Sequence, residues 1–148
     1  MNVISAEELL SPAERERVRD AVRTAEKRTS GEIRVHLDNV ISGDVLDHAA
    51  VVFTELHMHR TKERNGALIY VSVPQRRAAV IGDAGLNAKL PHGYWNDVLA
   101  MLIGEFKADR YCDGLCKAVA LLGEQLHAHF PHERGDVNEL GDDISYGK

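Results

Sequence analysis

The sequence predicts an α/β fold, a small mixed sheet with helices on both faces, and three stretches carry that prediction. Residues 32–37 alternate apolar Ile33, Val35 and Leu37 with polar Glu32, Arg34 and His36, the period-two pattern of a strand with one buried face. Val45, Leu46, Ala49, Val52, Phe53 and Leu56 then recur at helical spacing. Ala67 to Val73 is apolar at nearly every position, as a central strand covered on both faces must be. A right-handed crossover through the intervening helix makes the two strands parallel. Pro74-Gln75-Arg76-Arg77 is short enough for a hairpin turn, so Ala78 to Ile81 returns antiparallel and the sheet is mixed.

The remaining elements follow in chain order. Ser11, Pro12 and Glu14 put a hydroxyl at the N-cap, proline at N1 and a carboxylate at N3, which starts a helix at Pro12. Val18, Ala21, Val22 and Ala25 form its apolar stripe, and Ser30-Gly31 ends it. Asp44 caps the second helix, which fades into the polar segment HMHRTKERN. Pro91 opens a third long helix with Trp95, Val98, Leu99, Leu102 and Phe106 on one face. Asp109 caps a last one carrying Tyr111, Leu115, Val119, Leu122, Leu126 and Phe130, and Pro131 stops it. Residues 1–132 therefore read as one α/β domain and 133–148 as an acidic, glycine-containing tail, with Val137, Leu140, Ile144 and Tyr146 available to anchor it.

A chain of 148 residues is the size of one domain, and folding at that length buries about 68–70% of the unfolded surface. With 18 basic against 23 acidic residues the chain is mildly acidic, which disfavours nucleic acid as a partner. The first residues carry neither a basic n-region nor an apolar h-region, and no apolar run reaches the roughly 18 residues a membrane span needs. The expected location is cytoplasmic, without membrane insertion. Cys112 and Cys116 are four apart on a helical face and read as small buried hydrophobes rather than a disulfide framework.

Candidate chemistry concentrates at Asp83. It follows a strand directly and lies between Gly82 and Gly85, where backbone can approach a ligand. The same aspartate also suits a cap for the Leu86-Asn87 segment. The fold is Rossmann-like in its crossover, yet it lacks the dinucleotide fingerprint G-x-G-x-x-G, and a phosphate loop is absent as well. Glu32 opens the first strand, Asn65 precedes the second, and Asp83 ends the third, so an antiparallel third strand brings all three to one rim. Two carboxylates and an amide suit a hard cation, calcium or magnesium, with Glu32 and Asp83 as its ligands; three independent turn residues are the alternative.

Histidine pairs His57 with His59, and His127 with His129 and His132, do not converge on a metal. Residues two apart on a helix point about 200° from each other, and these groups sit where helix C-termini favour them. Asp136 to Gly141 imitates the start of an EF-hand but fails at Leu140 and Gly147, leaving only a looser contact through Asp136, Glu139, Asp142 or Asp143.

Four segments, SGEIRVHL from Ser30, RNGALIYVSV from Arg64, VIGDAGLN from Val80 and RYCDGLCKAVALLGE from Arg110, together resemble the TPM domain family. That family includes bacterial proteins and plant thylakoid lumen proteins linked to photosystem repair. The resemblance implies a three-layer α/β/α sandwich, and it implies either acid phosphatase activity, divalent-cation binding or an accessory role. Many members carry an aspartate where this chain has Arg64, and G-x-G where it has Gly82-Asp83-Ala84-Gly85. A cation at that position disfavours calcium and favours an anion. The sequence therefore supports a module whose rim pocket, Glu32, Arg64, Asn65, Asp83 and Asn87, binds a small ion or a protein partner. The alternative is a metal-assisted phosphomonoesterase, with the ion on Asp83 and Glu32 and phosphate charge on Arg64. A third reading is an interaction module that uses the acidic tail.

Overall fold

The computed structural model describes residues 4–132, 141 and 143–147. Helix α1 (Pro12–Glu26) begins with a complete capping box: Ser11 Oγ accepts from the Glu14 N–H at 3.1 Å, and the Glu14 carboxylate accepts from the Ser11 N–H at 2.9 Å. Strand β1 (Glu32–Asp38) leads to α2 (Val45–Glu55), whose cap Asp44 accepts from the Leu46 N–H at 2.7 Å. A single 3-10 turn at Met58–Arg60 precedes β2 (Gly66–Ser72), β3 (Arg77–Gly82) and the one-turn helix α3 (Ala84–Asn87). Helices α4 (Tyr94–Lys107) and α5 (Tyr111–His129) follow, and a two-residue strand β4 (Ser145–Tyr146) closes the described chain.

The sheet order is β3-β2-β1-β4. β1 and β2 are parallel, and β2 and β3 form the antiparallel hairpin. Alternation divides the core. Ile33, Val35, Leu37, Ala67, Ile69, Val71, Ala78 and Val80 face a cluster completed by Val18 and Val22 of α1, Val98 and Leu102 of α4, and Leu115, Val119 and Leu122 of α5. Leu68, Tyr70 and Ala79 face Ala49, Val52 and Phe53 of α2, with Met58. Each large side chain withdrawn completely from water contributes roughly 1.5–3 kcal/mol, which is why the β2 segment, buried at all seven positions, anchors both layers. The result is the mixed α/β/α sandwich.

Three local expectations change. The third long helix starts at Tyr94 rather than Pro91, because Gly93 at φ 83° occupies the left-handed region and Pro91 accepts only a turn bond from the Tyr94 N–H. Asp109 does not cap α5: it adopts φ 59° itself, its carboxylate accepts from the Tyr111 hydroxyl at 3.2 Å, and Arg110 stands at the cap position. The C-terminal stretch read as a tail supplies β4, parallel to His36 and Leu37 of β1, with Ile144 in the core. Val137 and Leu140, and most of the EF-hand-like segment, lie outside the described residues. Asp143 is described, and it pairs with Arg19 at 2.7 Å.

Candidate functional site

The register places the rim residues side by side. Glu32 pairs with Gly66, and the Asp83 N–H donates to the Gly66 carbonyl at 2.9 Å, so the start of β1, the start of β2 and the end of β3 form one row. The side chains then diverge. Arg64, held at φ 53°, turns its guanidinium onto Asp83: Nε donates to Oδ2 at 2.6 Å and Nη2 to Oδ1 at 2.8 Å. This is the bidentate fork that suits a planar guanidinium and a carboxylate. Asp83 Oδ1 also accepts from the Ala84 N–H at 2.7 Å, capping α3. Burial by itself raises the Asp83 carboxyl, but the Arg64 fork, the Ala84 N–H and the charge of nearby His59 outweigh it and hold the group below the usual carboxylate range.

Asn65 is buried and its Nδ2 donates to Ser30 Oγ at 3.2 Å, while Ser30 in turn donates to Glu63 Oε2 at 2.6 Å. Its Oδ1 has no hydrogen-bond partner among the described residues. Glu32 is buried, with 1% of its surface exposed. Asn87 faces away from the rim row, donating from Nδ2 to the Gly82 carbonyl at 2.9 Å and accepting from Trp95 Nε1 at 2.7 Å. Gly85 explains the G-D-A-G spacing: a Cβ there would stand 2.1 Å from the Glu63 carbonyl oxygen, so only glycine lets α3 lie against that backbone. The structure thus joins Arg64 to Asp83, ties Asn65 to Ser30, and assigns Asn87 to the α4 contact.

These donors do not fit a hard cation as they stand, because a guanidinium occupies the face of Asp83 that a metal would use. Among the described residues no three His, Cys, Asp or Glu side chains are placed to hold a metal. His57 and His59 have ring centroids 6.5 Å apart and tilted planes, and His127 Nδ1 lies 2.9 Å from the Arg28 carbonyl.

A polar cluster that sequence reasoning missed sits at the opposite rim. Tyr70, completely buried, donates its hydroxyl to Asp38 Oδ2 at 2.7 Å and stacks on His36 with centroids 5.6 Å apart and planes 5° from parallel. His36 Nδ1 lies 2.8 Å from Ser145 Oγ on β4. Burial pushes the His36 imidazole down, against the opposing pull of Asp38 and Glu55, and burial with the Asp38 bond pushes the Tyr70 phenol up. His36 Nε2 stands 3.9 Å from Asp38, beyond hydrogen-bond length, so the group is a packed lock on β4 rather than an aligned nucleophile and base. The alternation of β1 marked His36 as off the main core face; its partner Tyr70 follows only from the β1 and β2 register.

A concavity of about 390 Å³ lies along β3 and reaches Gly82 and Asn87 beside the Asp83 rim, without including Asp83, Arg64, Asn65 or Glu32. Its floor is Ala78 to Gly82, and its walls are Val45 and Leu46 on one side and Asn87, Trp95, Asn96 and Leu99 on the other, so Asn87 is the one rim candidate that lines it.

One family model, that of the TPM domain, matches residues 3–125. The chain belongs to the TPM domain family. The matched stretch contains Glu32, Arg64, Asn65, Asp83 and Asn87 and ends before β4. This TPM domain is similar to the BA42 protein of the psychrophilic bacterium Bizionia argentinensis, at 39% identity and TM-score 0.88, over 95% of this chain and 97% of that one. It also shares its fold with the N-terminal domain of a P. gingivalis protein, at 22% identity and TM-score 0.69, over 90% of this chain and 100% of that one. No curated protein matches it. No helix among the described residues is long and apolar enough to cross a membrane.

Proposed function

We propose that this TPM domain is a partner-binding accessory module without catalysis of its own. Of the two ligand classes that the sequence leaves open, small ion and protein partner, the side-chain geometry favours the partner. One observation carries the reading: both oxygens of Asp83 are bound within the chain, by Arg64 and by the Ala84 N–H, whereas the groove beside β3 is walled mainly by apolar side chains, with the amides of Asn87 and Asn96 among them. An apolar concavity with a few polar groups is the usual form of a recognition site. Calcium, magnesium and the competing phosphomonoesterase reading all require Asp83 free of Arg64, and phosphoryl transfer also requires a placed attacker. Two free cysteines, one buried and one half-buried, suit the cytoplasmic setting that belongs with this proposal.

The test has two arms. Peptide-display ligands enriched on the immobilised protein should shift the amides of Leu46, Val80 and Trp95 in NMR titrations. The purified protein should not hydrolyse p-nitrophenyl phosphate with magnesium or calcium. Ligands that map instead to Arg64 and Asp83, or a turnover that Asp83→Asn abolishes while the fold persists, would replace the accessory reading with the catalytic one.

A further inference from the structure

Among the described residues β3 is an edge strand, and its pairing with β2 determines which of its backbone groups face outward. The Asp83 N–H to Gly66 bond extends the register one step beyond Gly82 and Ala67, and makes Asp83 with Gly66 a hydrogen-bonded pair. Such pairs alternate along an antiparallel ladder. Arg77, Ala79 and Ile81 therefore direct their N–H and C=O to β2, and Ala78, Val80 and Gly82 direct theirs into the groove. The Gly82 carbonyl is taken by Asn87 Nδ2. The N–H and C=O of Ala78 and Val80, and the N–H of Gly82, have no hydrogen-bond partner among the described residues.

Natural sheet edges are usually blunted by proline, by an inward-pointing charge or by a bulge. Ala78 to Ile81 carries none of these, and the pairing with β2 is unbroken from Arg77 to Gly82. The edge is instead flanked by apolar walls on both faces of the sheet: Trp95 and Leu99 on the Val80 side, Val45 and Leu46 on the Ile81 side. Leu46 is 55% exposed, a large apolar side chain with no cover of its own.

We propose that β3 receives an extended peptide segment of a partner protein by strand addition, running antiparallel to β3, apolar at successive positions and acidic at its C-terminal end. This rests on the accessory-module reading and names the chemistry of the partner. Main-chain groups supply the recognition, and side chains of alternate parity meet the two walls. Antiparallel pairing is the more stable hand, and it brings the C-terminal end of the peptide to Arg77. Arg77 donates to the Gly43 carbonyl at 3.2 Å, and neither it nor Arg76 forms an ion pair with a described carboxylate, in a chain of net charge −5. A bare strand fits this edge better than a second copy of the chain. In a two-fold pairing of β3 with itself, Arg77 would face the Gly82–Asp83 end of the other strand, whose carboxylate is already held by Arg64.

The probe is an N-acetylated peptide, Val-Ile-Val-Ile-Val-Asp-Glu, titrated into the intact protein. Trp95, the only tryptophan in the chain, reports occupancy by fluorescence, and hydrogen exchange reports the amides of Ala78, Val80 and Gly82. Two N-methylated versions, with methyl groups on alternate residues in opposite phase, leave the protein unchanged. The expected result is saturable binding, slowed exchange at those amides, and a loss of about tenfold or more with one methylation phase only, the effect of one or two net hydrogen bonds. Arg77→Glu should weaken the acidic peptide several-fold and spare a version ending in Lys-Lys. No binding at about 1 mM peptide, equal affinity for the two methylated versions, or indifference to Arg77→Glu overturns the proposal. A ligand that shifts Leu46 and Trp95 without protecting the Ala78, Val80 and Gly82 amides overturns strand addition and leaves the accessory-module reading in place.

Discussion

Replacing Gly85 by alanine should destabilise this TPM domain, whereas the same change at Gly104 should stabilise it slightly. At Gly85 the added Cβ meets the Glu63 carbonyl oxygen at 2.1 Å and the Arg64 carbonyl oxygen at 2.8 Å. Both are backbone atoms, so no side chain can rotate away and α3 itself must move. Overpacking of this kind costs about 1–3 kcal/mol. The displacement also threatens the Leu86 N–H bond to the Arg64 carbonyl, 3.2 Å long, worth about 1 kcal/mol net. Together these give a loss of about 2–4 kcal/mol. For a domain of this size about 2–4 °C of Tm accompanies each kcal/mol, so Tm should fall by roughly 4–16 °C. At Gly104, on the exposed face of α4, nothing lies within 4 Å of the new Cβ, and alanine removes a mid-helix glycine at a gain of about 0.5–1 kcal/mol. Urea unfolding followed by circular dichroism measures both, with an unchanged m-value marking a change in stability alone. A Gly85→Ala loss below about 0.5 kcal/mol would show that α3 is not seated on the Glu63 and Arg64 backbone, and the account of the G-D-A-G segment would fall with it.

Tyr70→Phe keeps the buried ring and removes the hydroxyl that Asp38 accepts at 2.7 Å; because the Asp38 side chain is 18% exposed and can recruit water, the loss should be about 1–2 kcal/mol by urea titration. His36 is held below its ordinary value of 6.5 by burial, so the unfolded chain binds its proton first, and stability should be full above that pH and decline as pH falls through 6.5 towards the lowered folded value. Comparing the pH profile with that of His36→Gln checks this, and a wild-type profile no steeper than the variant's across that window would refute it. Burial raises both thiols, Cys116 to about 11, so labelling of the native protein by a disulfide reagent at pH 7 should be far slower than in urea.

Local signals made much of the fold legible. The capping box at Ser11 and Glu14, the alternation of β1 and the unbroken apolar run of β2 each carry their cause within a few residues. The Asp83 rim was legible as a place, because a parallel crossover followed by a hairpin leaves the ends of β1, β2 and β3 in one row. What each rim side chain does was not. Arg64 reaches Asp83 from 19 positions away, and no spacing rule says that the cation will cover the carboxylate rather than leave it open.

By itself, then, the sequence determined periodicity, caps and strand direction, since these arise from the φ/ψ preferences and side-chain alternation of neighbouring residues. Only the tertiary structure decided that two residues near the C-terminus join the sheet. A strand as short as Ser145–Tyr146 has no periodic signal, and its stability comes from the unpaired edge of β1 and from His36. The structure alone likewise decided that β3 ends the sheet on the other side. Whether a strand lies at an edge depends on which strands fail to come beside it, and here, among the described residues, only the α2 and α4 walls of a groove flank its outward N–H and C=O groups.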